Sequence, residues 1–187
     1  MKHFRKTIAL FLVVVMLTTT MGSTVLAGTE NQGFSDQAET TVDSRFLDGI
    51  DTAGYDYVIT SQEQADELRV SDDSKSILVA CGSVYLSGIT VGTITIRNTT
   101  KIQLSNVTAK ALDISQGTAI SFTGVKADQL LIAGEKTEES SLQIDSETNI
   151  SKLELNGGQA VTLEGSGTIG DVEVKEPVSS LAVYATC

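Results

Sequence analysis

The 187-residue chain has no tryptophan, one proline, one histidine and two cysteines, and its aromatic side chains amount to only 5%. Basic groups are scarce as well: 13 Lys and Arg stand against 24 Asp and Glu, a formal charge of −11. A nucleic-acid binder needs a basic stripe to displace counterions from phosphates, so that class is excluded. Long apolar runs are almost missing. The one sustained run, Ile8 to Leu17, is about half of the roughly 20 residues that a membrane-spanning helix requires.

What that run does have is a cationic start (Lys2, Arg5, Lys6) and a polar stretch leading to Val25-Leu26-Ala27. This layout predicts a secretory signal peptide over residues 1–27, cleaved after Ala27. No cysteine lies at the cleavage region, which argues against a lipoprotein. Nothing later in the chain is long and apolar enough to span a bilayer, so no transmembrane helix is expected after cleavage, and the expected destination is secreted, extracellular or cell-surface. Without the signal, ten basic and 24 acidic side chains remain, a net of −14 over 160 residues. His3 leaves with it. A mature chain without histidine cannot assemble Ser-His-Asp or Cys-His chemistry and lacks the commonest zinc ligand. At 41% hydrophobic the chain is too apolar to be disordered throughout, and its length suits one domain plus appendages.

Residues 28–54 are acidic and rich in Gly, Ser and Thr, with isolated Phe34 and Phe46, and read as a flexible linker. Residues 55–75 form a cap: Tyr55–Ile59 alternates as a short strand, and Thr60-Ser61-Gln62-Glu63 has the form of a capping box opening a helix to about Val70. From Ser76 to Cys187 the chain becomes short apolar pairs separated by Gly, Asn, Ser and Thr. Ile94/Ile96, Leu112/Ile114, Leu130/Ile132, Leu153/Leu155 and Val172/Val174 begin successive units. A second series, Ile102/Leu104, Ile120/Phe122, Leu142/Ile144, Val161/Leu163 and Leu181/Val183, lies within them, followed by single Val107, Val125, Ile150 and Ile169. Three in-phase series at one period of about 18–20 residues indicate an internal repeat. Period-2 pairs joined by tight turns describe the rungs of a coil that advances by one strand spacing, roughly 4.8 Å.

The expected fold is therefore all-β: a right-handed parallel β-helix of about five rungs with a short strand-helix cap. A left-handed hexapeptide β-helix and a β-sandwich are the alternatives. The polar stretch Glu135–Ser141 is expected to bulge from the coil as a loop.

These units also carry a resemblance. YDYVITSQEQADELRV followed by SILVACGSVYLSG resembles the N-terminal cap and first rung of pectin-lyase-like right-handed β-helices. TITIRNTTKIQLSNVTAK, ALDISQGTAISFTGVKAD and KLELNGGQAVTLEGSGTIG resemble the β-helical repeat regions of secreted or surface-layer-associated proteins of Gram-positive bacteria. The likeness covers residues 55–187. It implies fold and compartment rather than an activity, because the matching positions are structural. The chain shows neither a surface-layer-homology module nor a C-terminal sorting motif.

Lining up the repeats puts Thr95, Asp113, Leu131, Glu154 and Glu173 in one outward column. Glu154 and Glu173 should stand one strand spacing apart, where two carboxylates share a proton, recruit a cation or are balanced by Lys152 and Lys175. They are the candidate acidic pair if the chain is an enzyme on polysaccharide, a lyase or glycosidase. Asp145, Glu147 and Asn149 alternate oxygen ligands and are weak Ca²⁺ candidates, lacking the glycine and distal glutamate of an EF-hand; a polar turn is the other reading. Arg45, Arg69 and Arg97 do not cluster, and Tyr55, Tyr57, Tyr85 and Tyr184 are few and scattered, so any sugar site is expected to be shallow.

Cys81 and Cys187 are expected to lie too many rungs apart for a disulfide. The last rung, ending in Leu181, Val183 and Tyr184, has no polar cap, and self-association through it is expected unless a longer chain covers it. Pro177, which lacks an N–H, is expected to blunt the ladder locally. The leading expectation is a non-catalytic structural, adhesive or binding protein whose partner is a cell-wall polymer, a glycan or a surface protein, with no cofactor other than the weak Ca²⁺ candidate.

Overall fold

A computed structural model describes residues 44–135, 138–176 and 178–185. The signal peptide, the first part of the linker, Pro177 and Cys187 lie outside the described residues. Thirteen strands wind into a parallel β-solenoid with two sheets. One holds seven strands, β1 (Tyr57–Ile59), β2 (Ser71–Ala80), β4 (Thr90–Arg97), β6 (Thr108–Ser115), β8 (Lys126–Gly134), β10 (Asn149–Gly157) and β12 (Thr168–Val174). The other holds six, β3 (Ser83–Ser87), β5 (Lys101–Ser105), β7 (Ala119–Thr123), β9 (Glu139–Ile144), β11 (Ala160–Gly165) and β13 (Ser180–Ala185). Every pairing is parallel, which removes the β-sandwich, an antiparallel architecture. Through the middle turns, from β4 to β11, strands of eight or nine residues in one sheet and five or six in the other do not fit the equal sides of a hexapeptide coil.

Seven strands in the first sheet correspond to about seven turns rather than the expected five. The two extra turns lie before Ile94. β2 carries the same inward pair, Ile77/Val79, in register with Ile94/Ile96, and a bulge between Asp72 and Ser76 disturbs only the start of its pairing with β4. Above it lies β1, supplied by the cap.

Each long strand turns a corner where one residue drops out of the pairing, such as Lys110 between Ala109 and Ala111. The corner resets the alternation, so Ala109 and Leu112, three residues apart, both face the core. Aliphatic residues stack on aliphatic residues down the coil: Ile94, Leu112, Leu130 and Leu153 are aligned and buried. Removing a stacked Leu from such a close-packed column costs about 2–5 kcal/mol.

Two expected alignments shift in the lower half. Ile150 and Ile169 stand beneath Ala109 and Ala127 rather than Val107 and Val125. Thr148, buried, takes the next place beneath Val125 and accepts its N–H at 3.2 Å. In the second sheet Leu142 pairs with Leu163, not Val161, which instead sits under the buried Ser140. β9 also begins at Glu139, so the outward loop is shorter than the expected Glu135–Ser141. Ser140 donates to Gly117 O at 2.8 Å and belongs to the wall.

The first end of the coil is closed. Helix α1 (Gln62–Glu67) is capped by Ser61, whose hydroxyl accepts from Gln64 N, while Gln64 Oε1 accepts from Thr60 N at 2.6 Å. The capping box is thus one residue later than expected, and the helix ends at Glu67 instead of near Val70, with Arg69 Nη1 donating to Asp66 O. Ala65, Leu68 and Val70 plug the core. Gln62 behaves like a piece of strand: its Nε2 donates to Tyr85 O at 2.9 Å and its Oε1 accepts Tyr85 N at 2.8 Å, satisfying the edge of β3.

The segment before the cap is not free linker throughout. A 3₁₀ turn at Ser44–Phe46 leads a stretch in which Phe46, Leu47 and Ile50 are half-buried. Asn98 Nδ2 donates to Phe46 O at 3.0 Å. The aromatic residue, isolated in the sequence, explains the docking, since its ring lies against the bare face of Gly82.

Candidate functional site

The outward column of the seven-stranded sheet runs Thr95, Asp113, Leu131, Glu154 and Glu173, as the repeat predicts, and the register adds Leu78 above them. Its upper members are buried from outside, Leu78 fully. Asp113 is held by a fork from Arg97, with Nη1 to Oδ1 at 3.0 Å and Nη2 to Oδ2 at 2.6 Å. Sequence reasoning missed that pair, because Arg97 stands one column away and one strand above.

Glu154 and Glu173 are direct register partners. Lys152 joins them: its Nζ is 2.5 Å from Glu173 Oε2 and 3.6 Å from Glu154 Oε2, and Lys175 reaches Glu173 Oε1 at 2.5 Å. Glu154 is the more enclosed, its side chain 15% exposed against 39% for Glu173, with Gln129 Nε2 at 3.4 Å from its Oε2. The hydrogen bonds from Lys152 and Lys175 hold the Glu173 carboxyl at about 2, and Glu173 in turn raises Lys152 above its ordinary value. Of the three arrangements open to this pair, the geometry realises the lysine-balanced one. A glycosidase acid needs the opposite, a carboxyl whose proton is retained near neutrality. Glu173 is a fixed anion.

Asp145, Glu147 and Asn149 lie in and after the turn between β9 and β10. Thr148 N donates to Asp145 O at 3.2 Å, closing the turn. Asp145 Oδ1 accepts from Gly124 N at 2.9 Å and Thr148 Oγ1 at 2.7 Å, and the backbone bond from Gly124 is the main reason its pKa is lowered. The carboxylate braces two rungs, which is the polar-turn reading. Among the described residues no group of three or more His, Cys, Asp or Glu is placed to hold a metal ion. Cys81 is buried and free, its thiol pushed up by burial and donating to Ser83 O at 3.2 Å.

The six-stranded sheet presents a second outward column, and it differs from expectation. Tyr85, Gln103, Ser121, Gln143, Glu164 and Tyr184 are consecutive register partners. Two tyrosines that look scattered in sequence therefore stand on one line, at its two ends, 46% and 63% exposed. Gln143 Nε2 donates to Glu164 Oε2 at 3.2 Å. A shallow groove of about 450 Å³ runs past Ser121, Gln143, Glu164 and Tyr184. Amides, a hydroxyl and a carboxylate between aromatic rings offer hydrogen bonds and stacking surface, not a reacting group.

Among the described residues no helix is long and apolar enough to cross a membrane. No protein-family model, curated protein or solved structure matches the chain.

Proposed function

We propose that the chain is an exported bacterial cell-surface or extracellular β-solenoid with a non-catalytic, adhesive or structural role, binding an extended wall polymer or glycan along the outer face of its six-stranded sheet. The observation that carries this reading is the single column from Tyr85 to Tyr184. Its members repeat at one strand spacing, roughly 4.8 Å, so it suits a linear ligand better than a compact one. Tyrosine rings supply amphipathic stacking surface, and the side-chain amides of Gln103 and Gln143 donate and accept towards sugar hydroxyls. The carboxylates on the other sheet are neutralised by lysine, which speaks for a charge-balanced wall there rather than an acid-base centre. Export rests on the layout of residues 1–27, and the bacterial surface on the resemblance of the repeats.

The test is cosedimentation of the chain from Gly28 with insoluble cell-wall glycan. Tyr85→Ala with Gln143→Ala should lower binding at least tenfold while Glu154→Gln leaves it unchanged. Turnover of uronate-containing or neutral glycans that Glu154→Gln abolishes would replace the proposal with the enzyme reading.

A further inference from the structure

The second end of the solenoid is unlike the first. Val172, Val174, Leu181 and Val183 occupy inward columns, beneath Leu153, Leu155, Val161 and Leu163, yet they are 40–63% exposed. Among the described residues no side chain pairs with the main chain of the outer edges of β12 and β13. Two open edges with an apolar floor between them form a surface for further pairing.

We propose that this end pairs with the same end of a second copy, across a two-fold axis, to make a closed dimer. A head-to-tail stack is the poorer fit, because the core of the other end is already filled by Ala65, Leu68 and Val70 around α1 and Tyr85 on its β3 edge is bonded to Gln62. The self-complementary contact buries apolar surface from both copies, and such a contact closes at two copies instead of growing a filament. Two-fold symmetry makes the edges antiparallel. The register that sets Val172 opposite Val174 of the second copy also sets Asp171 opposite its Lys175, twice by symmetry. Glu173 then meets its own counterpart, each already held by Lys152 and Lys175. On the other sheet the matching register sets Leu181 opposite Val183 and Ala182 opposite itself. Four aliphatic side chains from each copy are sealed between the last rungs. The glycan-binding reading is not needed for this inference, nor this inference for that reading.

The experiment is light scattering of the chain from Gly28 across a concentration series in reductant, so that Cys187 contributes no covalent link. The expected result is a concentration-dependent shift to twice the monomer mass and no further. Val183→Lys, at an exposed position where the fold tolerates a charge, should weaken the dimer about a hundredfold. Lys175→Glu and Asp171→Lys should each weaken it about tenfold, and the double variant should recover most of the loss, which only an antiparallel register predicts. Circular dichroism on each variant establishes that the fold is kept. A monomer at every concentration, a growing polymer, or a dimer indifferent to Val183→Lys would overturn the proposal.

Discussion

The two ends of this solenoid solve the same physical problem in opposite ways. At the first end the outermost rung is covered by α1, its apolar floor is plugged by Ala65, Leu68 and Val70, and Gln62 satisfies Tyr85 N and O. At the last end the equivalent inward residues face water, Val183 63% exposed while Leu163 directly above it is buried. The chain between them is nearly uniform, so the difference lies in a few residues outside the repeat. A repeat builds its own middle, but its ends must be specified separately.

Truncations to alanine in the middle and at the last end should read this difference most strongly. Leu130→Ala, in the fully buried middle, is expected to cost about 2–5 kcal/mol. Val183→Ala should stay within about 0.5 kcal/mol in the monomer. Both are read from denaturant midpoints at low protein concentration, and equal losses would break the comparison. Gly165→Ala should cost about 1–3 kcal/mol. Its φ of +123° is one that L side chains rarely adopt, and a Cβ there would strike Ile144 O. Gln62→Ala removes two hydrogen bonds from the β3 edge, and water can reach the freed groups, so about 0.5–1.5 kcal/mol is expected.

The smallest effect is electrostatic. The Glu173 carboxyl is lowered from 4.5 to about 2, so its contribution to stability is complete above pH 4.5 and disappears as pH falls through about 2. The stability difference between wild type and Glu173→Gln should therefore shrink over that window in acid unfolding titrations. A difference independent of pH would show that the lysine contacts do not hold the carboxylate.

The middle was legible because each inward column carries aliphatic residues at a near-constant period. The same period aligns Glu154 with Glu173, and the register pairs them directly. What escaped was whatever departs from that signal. The slip that pairs Val161 with Ser140 was invisible because an aliphatic pattern does not count a buried serine. Tyr85 and Tyr184 fall in one column only once that slip is known. Gln62 capping Tyr85 is a single contact between residues that share no period.

Amide hydrogen exchange on β3 and β13 at two protein concentrations tests the contrast between the ends most directly. At dilution the β13 amides should exchange much faster than those of β3, and at high concentration β12 and β13 should gain protection while β3 is unchanged. Equal protection of β3 and β13 at dilution, or β13 exchange that ignores concentration, would contradict a sealed first end and a last end that closes on its own copy.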